Sequence, residues 1–218
     1  MKAVKWNFLS TALGAVVGIL QLWLLSRILE PQEYGVISLA LMVVQFFTIF
    51  IDFGISNSII RHAKITEIEL SSLYVINIGL GVVTFAVAWL ASPLLAQFFK
   101  SPELVTQIRI MSLVFLLAPF GQQYRAILAR ELRFNFIAVV AIITLLTNCV
   151  IVITLALIYK KAWVASVAFF ASTALSCGIF FFYSLRDRPL SFKFSWPAAK
   201  PHMRYASQLV GDSLINVV

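Results

Sequence analysis

The stretch that decides the fold runs from Leu70 to Phe99 and reads LSSLYVINIGLGVVTFAVAWLASPLLAQFF, without one charged residue. A helix needs about 20 predominantly apolar residues to cross the roughly 30 Å hydrocarbon core of a bilayer. This stretch exceeds that requirement, and charged residues, Glu69 and Lys100, bound it on both sides. It therefore predicts a membrane-spanning helix.

Five further uncharged stretches lie along the chain. Together with the first, they cover residues 7–26, 34–51, 70–99, 110–124, 134–159 and 162–185. Transmembrane β-strands would instead alternate apolar and polar residues over segments of about ten residues, and the sequence shows no such alternation. The pattern predicts an all-α, polytopic membrane protein with a bundle of six transmembrane helices.

The composition changes after the sixth stretch, which predicts three regions. Residues 1–185 form an N-terminal six-helix transmembrane lobe. Residues 186–204 are basic and contain prolines, as expected of a cytoplasmic linker along the lipid surface, with Phe192, Phe194 and Trp196 at the interface. Residues 205–218 turn apolar again but are too few to cross a bilayer alone, which predicts the truncated start of a seventh transmembrane helix.

The overall composition also favours a lipid environment. Of 218 residues, 61% are hydrophobic and 12% charged, which gives more apolar surface than one soluble core of this size can hide. The first stretch follows Lys2 and Lys5, but it is too long for a signal peptide and lacks a clear small-residue cleavage site. We therefore interpret it as the first membrane helix.

The formal net charge of +8 indicates orientation in the membrane, because the basic residues are scattered between the spans. A nucleic-acid-binding protein would gather them on one surface, so no nucleic acid partner is expected. Short cytoplasmic loops collect Lys and Arg. With a cytoplasmic N-terminus, most of the 17 basic residues lie inside, and the outer side receives Arg27, Lys100, Arg109, Lys160 and Lys161.

The fourth stretch, residues 110–124, is the most irregular. It is shorter than a span requires, so Arg109 or Arg125 must lie within the membrane or at its edge, snorkelling or facing polar groups. Arg125 is therefore a functional candidate. The alternative is that it only anchors the helix at the inner membrane surface, together with Arg130 and Arg133.

The same stretch contains APFGQQ at residues 118–123. Pro119 removes a backbone hydrogen bond and Gly121 permits close approach, so we expect a kink there, with Gln122 and Gln123 adding polar groups nearby.

Asp52 closes the second stretch and is followed by FGISNS. It is expected to pair with Arg61 or to cap the helix that follows, in a structured turn at the membrane face. Cys149 and Cys177 lie in the middle of the fifth and sixth stretches, where they are expected to serve packing between helices.

No enzyme signature is visible. The sequence has no glycine-rich phosphate loop, HExxH or CxxC motif, and His62 and His202 are far apart. Few acidic residues are present, and Glu67 and Glu69 are interpreted as a helix surface. We expect neither a catalytic residue, nor a metal, nor a cofactor, and direct use of ATP is not expected.

Three segments resemble the polysaccharide transport flippases. They are SRILEPQEYG at residues 26–35, DFGI through IIR at residues 52–61, and ARELRF at residues 129–134. The chain is similar to the colanic acid and teichuronic acid exporter branch of the multidrug, oligosaccharidyl-lipid and polysaccharide exporter superfamily. Members of that superfamily carry twelve to fourteen helices, so the resemblance implies that this chain is the N-terminal lobe.

The resemblance implies a function at the bacterial inner membrane. Two six-helix lobes would form a V whose cationic cavity admits a polyprenyl-diphosphate-linked oligosaccharide from the cytoplasm and releases it outside by alternating access. The implied partners are this cargo, membrane lipid and a C-terminal six-helix lobe, with a polysaccharide polymerase and glycosyltransferases as further candidates.

Such a cargo needs positive charge for its diphosphate and polar side chains for its sugars. The hypothesised substrate path contains Arg61, Arg125, Arg133, Gln122, Gln123 and Asn57. Arg27 and Glu33, on the outer side, are expected either to gate the two lobes or to form a loop-stabilising ion pair, and Asp52 is grouped with them.

Three other functions compete with this one. A cation-coupled multidrug exporter of the same superfamily would use intramembrane acidic residues, which Asp52 alone supports poorly. A membrane glycosyltransferase or polymerase would need a polar loop carrying catalytic acids, whereas the segment from Arg186 to Arg204 is basic. A non-transporting scaffold for polysaccharide assembly is the third.

Overall fold

The structure is a computed structural model that describes residues 2–61, 65–187 and 194–215; side chains are described from Thr11 onward, except for residues 187, 205 and 207–215. These described residues form helices and turns. The helices are α1 (Lys2–Ile28), α2 (Pro31–Asp52), α3 (Ile55–Arg61), α4 (Glu67–Phe98), α5 (Leu104–Ser112), α6 (Val114–Arg130), α7 (Phe134–Tyr159), α8 (Trp163–Asp187) and α9 (Trp196–Ile215).

The prediction of an all-α bundle with six spans is confirmed. Six helical segments are long and apolar enough to cross a membrane: α1, α2, α4, α5 with α6, α7, and α8. Successive spans run in opposite directions, so the bundle has two ends. We call the end with the α1–α2, α4–α5 and α7–α8 turns the Glu33 end, and the end with α3, the α6–α7 turn and α9 the Arg125 end.

The fourth span is longer than its uncharged stretch suggested. It runs from Leu104 to Arg130 and includes both arginines. Arg109 lies in polar and aromatic surroundings, because its Nε donates to Ser92 Oγ at 3.2 Å and its guanidinium lies 5.0 Å from the centre of the Trp89 ring. This contact with α4 satisfies the guanidinium inside the span, as the sequence led us to expect for one of the two arginines.

The helical interruption in this span lies at Leu113, between α5 and α6, whereas α6 is continuous through Pro119. Proline has no N–H to donate to the carbonyl of Phe115 four residues earlier. That carbonyl lies against α4, where a Cβ added to Gly81 would meet the Phe115 oxygen at 2.5 Å and Pro119 Cγ at 2.7 Å. Gly81 therefore allows α4 to cover the proline turn of α6.

The other face of α6 approaches α8 equally closely. A Cβ on Gly121 would lie 2.9 Å from the Cα of Cys177, so close approach at this glycine is confirmed. Cys177 makes this contact through its backbone and Cβ, and both Cys177 and Cys149 are half-buried free cysteines; their packing role stays a prediction. Helix α6 is thus held between α4 and α8 at the centre of the bundle.

The segment after the sixth span differs from the predicted regions. One helix, α9, begins at Trp196 inside the predicted linker and continues across the 204/205 boundary to Ile215. It packs against α3 and α4, and Ser195 N donates to Ser72 Oγ at 2.9 Å just before it begins. Phe194 and Trp196 are exposed, while Phe192 lies outside the described residues.

Candidate functional site

The turn that joins α2 to α3 is fixed by an acidic cap. Phe53 and Gly54 have positive φ angles of 37° and 76°, a conformation that glycine adopts readily. Asp52 Oδ1 accepts hydrogen bonds from Ser56 N at 3.1 Å and Ser56 Oγ at 2.5 Å. Capping, one of the two roles predicted for Asp52, is confirmed. Pairing with Arg61 is wrong, since no ion pair joins the two in the described chain.

Helix α3 rests on the carboxyl-terminal half of α6. Ile59 is fully buried and packs with Ala126 and Ile127 of α6. Arg61 follows Ile59 by two residues, and Arg125 immediately precedes Ala126. The fold therefore places two arginines that are distant in sequence on two helices in contact, α3 and α6; we call this pair of helices, where they meet, the α3–α6 junction.

Both arginines at the α3–α6 junction have exposed side chains, and so does Asn57. Among the residues that the structure describes, Arg61 and Arg125 form neither an ion pair nor a side-chain hydrogen bond. A guanidinium presents five N–H donors in a planar fork that matches phosphate geometry. The junction therefore offers two free cationic groups to an anion.

The two glutamines of α6 have different roles. Gln123 is buried, and its Nε2 donates to the Leu70 carbonyl of α4 at 2.7 Å, so it holds α4 to α6. Gln122 Oε1 is buried and has no hydrogen-bond partner within the described part of the chain. An unsatisfied buried acceptor costs about 1–3 kcal/mol. Gln122 is therefore the glutamine with capacity left for water or a ligand.

Arg133 differs from the other two predicted cations. It lies in the turn after α6, and its Nη1 is 3.8 Å from Glu131 Oε2. The preceding residue, Leu132, has a positive φ of 57°, and Arg133 N closes the helix end by donating to the Leu128 carbonyl. Its charge is thus partly balanced, and its backbone has a structural role.

At the Glu33 end, the expected Arg27–Glu33 ion pair is wrong. Glu33 is buried; its carboxylate accepts from Lys161 Nζ at 2.9 Å and from Ala162 N at 2.6 Å. Arg27 instead lies over the Trp23 ring, 4.6 Å from its centre. Glu33 therefore stabilises the α7–α8 turn, and the hydrogen bond to Glu33 raises the pKa of Lys161 above its usual value.

A buried histidine at the Arg125 end was missed as a structural residue. His202 of α9 lies with Nδ1 2.9 Å from Ser58 Oγ of α3 and Nε2 3.8 Å from Glu69 Oε1 of α4. Glu69 also completes a capping box with Thr66 at the start of α4, so it is more than a helix surface. Ser58 and His202 are 144 residues apart in the sequence, and no local pattern predicts their contact.

A polar ladder inside the bundle was also missed. Gln21 Nε2 of α1 donates to Asn148 Oδ1 of α7 at 3.2 Å, and Asn148 Nδ2 donates to Ser172 Oγ of α8 at 3.2 Å. The signal that would have found it is the presence of an amide in each of two otherwise apolar spans. Within the described residues, no group of His, Cys, Asp and Glu is arranged to hold a metal ion.

These features define a class: a polytopic α-helical membrane protein whose most buried span carries polar and cationic groups to one end of the bundle. A family model described as polysaccharide biosynthesis protein matches residues 24–218. The chain belongs to this family.

Curated relatives agree with the family. The chain is 29% identical to the lipopolysaccharide biosynthesis protein WzxC of Escherichia coli K12, over 99% of this chain and 44% of the relative. It is 33% identical to an uncharacterized membrane protein in the cps region of Klebsiella pneumoniae, over 100% of this chain and 45% of the relative. It is 34% identical to the teichuronic acid biosynthesis protein TuaB of Bacillus subtilis 168, over 65% of this chain and 29% of that protein.

The chain spans less than half the length of these relatives. No solved structure matches it.

Proposed function

We propose that this chain is one lobe of an exporter that moves a polyprenyl-diphosphate-linked oligosaccharide across the bacterial inner membrane by alternating access. A second six-helix lobe would complete the cavity. The chain is proposed to transport its cargo without changing it chemically, and membrane lipid is its solvent.

The observation that carries the proposal is the pair of free guanidinium groups at the α3–α6 junction. Arg61 and Arg125 are exposed, belong to different helices, and have no carboxylate partner in the described chain. A diphosphate is the most highly charged part of the proposed cargo, and arginine binds phosphate oxygens by charge-assisted, bidentate hydrogen bonds. Two such groups, on helices in contact at one end of the bundle, suit an anion that carries more than one negative charge.

The interior of α6 supports a polar cargo. Half of the residues in its span are buried in the bundle, and Gln122 keeps an unused acceptor one turn before Arg125. A buried polar group without a partner in a membrane bundle is costly, so its unused acceptor suits water or a polar ligand. The names of WzxC and TuaB place those relatives in the biosynthesis of lipopolysaccharide and teichuronic acid.

The role of Asp52 weighs against the drug-exporter alternative. A cation-coupled exporter needs an acidic residue that can exchange a proton or sodium ion inside the membrane. Asp52 lies at the end of α2 and is occupied by the backbone and hydroxyl of Ser56. It is therefore suited to a structural cap.

We place the Arg125 end in the cytoplasm. Four exposed arginine side chains lie at this end of the bundle: Arg61, Arg125, Arg133 and Arg186. Short cytoplasmic loops favour arginine and lysine. The N-terminus then lies on the same side, and the free cations face the compartment from which the cargo is loaded.

Complementation tests the proposal. The intact gene, and its Arg61→Gln and Arg125→Gln variants, are expressed in a strain that lacks its own flippase, and surface polysaccharide is measured at equal protein levels. We expect wild type to restore surface polysaccharide. Each variant should lower it about 10-fold or more, because hydrogen bonds to a charged group contribute about 1.5–3 kcal/mol.

Lys100→Gln is the matched control, because it removes one exposed positive charge at the Glu33 end and should leave export unchanged. Equal export by wild type and both arginine variants would show that the junction is not part of the substrate path. Failure of the wild type itself, at normal membrane levels, would favour the drug-exporter or scaffold function.

A further inference from the structure

The polar ladder borders a cavity at the Glu33 half of the bundle. The cavity has a volume of about 230 Å³ and lies between α1, α2, α7 and α8. Its polar lining comes from Gln21, Asn148, Tyr34 and Ser38. Its volume is well above the roughly 10–15 Å³ that one water needs, and below the roughly 300–1,000 Å³ of sites for drug-sized ligands.

The ladder leaves part of its hydrogen-bonding capacity free. Asn148 uses Oδ1 towards Gln21 and Nδ2 towards Ser172, which fixes both amides. Gln21 keeps its Oε1 acceptor. Ser38 Oγ donates to the Tyr34 carbonyl at 3.1 Å and keeps an acceptor, while no hydrogen bond engages the Tyr34 hydroxyl among the described residues.

The cavity lining is neutral. No charged residue of the described chain lines it, so it lacks the carboxylate that would select a cation inside a membrane. Amide and hydroxyl groups beside an aromatic ring offer both donors and acceptors to a ligand rich in hydroxyl groups, with an apolar face for its ring. This chemistry fits a single sugar ring.

Access to the cavity lies between α1 and α2. These helices touch at few points, because α1 packs mainly on α7. Ser38 and Leu22, which line the cavity, are exposed on the two sides of this gap. Because the gap lies between two spanning helices, a sugar would enter the cavity through it from the wet interior between this lobe and the proposed second lobe, and not from lipid.

We propose that this cavity is a sugar subsite that holds one neutral monosaccharide unit of the cargo, with Gln21, Tyr34 and Ser38 as its contacts and Asn148 as a positioning residue. The inference rests on the proposed function, since the sugar is part of the exported oligosaccharide. It adds a second recognition point at the opposite end of the lobe from the α3–α6 junction.

Alkylation protection tests the subsite. In the intact protein, Cys149 and Cys177 are replaced by alanine and Leu22→Cys supplies one thiol, which N-ethylmaleimide labels; Leu22 lines the cavity and is exposed, but it is not a proposed contact of the sugar. The probe is lipid-linked oligosaccharide extracted from the host strain, and the comparison ligand is polyprenyl phosphate without sugar. At about ten times its Kd, the oligosaccharide should slow labelling about 10-fold, because labelling reports the unoccupied fraction.

Two variants sharpen this experiment. Ser26→Cys is the matched control, because Ser26 is exposed on α1 but does not line the cavity. The oligosaccharide should not change the labelling rate of this variant. Tyr34→Phe, added to Leu22→Cys, should weaken the affinity by up to about 10-fold through the loss of one hydrogen bond while the ladder stays intact. At the same oligosaccharide concentration, protection should then fall towards about 2-fold.

Three results would overturn the subsite. They are equal protection by the sugarless carrier, protection by sodium chloride alone, and no protection in protein that exports normally. The last result would leave the proposed function standing. Conversely, protection in a protein that fails to export would retain the subsite and count against the proposed function.

Discussion

The fourth and fifth spans of this bundle follow opposite rules. The fifth, α7, is the most apolar span, yet only four of its 26 residues are buried in the protein. The fourth, α5 with α6, contains three arginines, three glutamines and a proline, and about half of its residues are buried. In a soluble protein, the more apolar helix would lie in the core.

The difference arises because lipid replaces water around the bundle. A purely apolar helix has no hydrophobic driving force for burial against other helices, because the lipid is equally apolar. Polar side chains and small residues do gain from burial, because inside the bundle Gln107 bonds Ser166 and Gln123 bonds the Leu70 carbonyl. The most buried helix of this protein is therefore the one that makes polar contacts. We expect the same helix to contact the polar cargo.

The largest effect should come from filling the contact between α6 and α8. Gly121→Leu places a side chain where even a Cβ would lie 2.9 Å from Cys177 Cα. Because backbone, not a flexible side chain, occupies that space, we expect a cost above the roughly 1–3 kcal/mol of ordinary overpacking. Size-exclusion profiles and Tm in detergent should show mostly misfolded protein.

Ala141→Leu on the exposed face of α7 is the matched control, since Ala141 is exposed. Its extra methyl groups enter lipid, and the Tm should stay within error of wild type. Equal damage by both variants would contradict the difference between the two spans.

A smaller effect is expected from the hydrogen bond between α6 and α4. Gln123→Leu keeps a similar volume but removes the 2.7 Å bond to the Leu70 carbonyl. Hydrogen bonds between membrane helices contribute about 0.6 kcal/mol on average and up to about 1.7, so the free energy of unfolding should fall within that range.

The control for this bond is Thr154→Val on α7, which removes an exposed hydroxyl that has no partner in the described structure. Reversible unfolding in mixed micelles measures both variants. A Thr154 variant as destabilised as the Gln123 variant would mean that the bond is not what stabilises α6.

The smallest effect should come from the turn that ends α7. Glu33→Gln weakens the ion pair with Lys161 but keeps an acceptor for Ala162 N, so we expect only a slight fall in Tm near neutral pH. Because the Lys161 pKa is raised in the folded protein, the pair contributes fully below the usual lysine pKa. That contribution disappears as the pH rises through the raised value.

The Tm difference between wild type and Glu33→Gln should therefore shrink at strongly alkaline pH. A difference that stays constant across that range would assign the effect to the altered cap of α8 and not to the ion pair.

The sequence predicted the spans well because each one must be long and uncharged to cross lipid, a requirement that is local. The six stretches, the cap at Asp52 and the close approach at Gly121 follow from such local rules. The length of the fourth span was underestimated because Arg109 contacts Trp89 and Ser92 on another helix. No local rule predicts these contacts.

Contacts between distant segments account for what the sequence did not predict. Glu33 pairs with Lys161, 128 residues away, and not with the nearby Arg27, because the α7–α8 turn packs on the start of α2. The helix α9 starts inside the predicted linker because it packs closely on α3 and α4. Its His202 contacts α3, and Gly54 lies beside the Ala206 backbone. The ladder through Asn148 likewise exists only in the folded bundle.

Translocation in liposomes tests directly whether the α3–α6 junction binds the diphosphate. The intact protein, its Arg125→Gln and Arg125→Lys variants and the Lys100→Gln control are reconstituted, and the transfer of a fluorescent polyprenyl-diphosphate-linked oligosaccharide between leaflets is followed. We expect normal transfer for wild type and Lys100→Gln and an intermediate rate for Arg125→Lys, whose ammonium cannot bind bidentately. For Arg125→Gln we expect a loss of about 10-fold or more. Undiminished transfer by Arg125→Gln would contradict a role for the α3–α6 junction in binding the diphosphate.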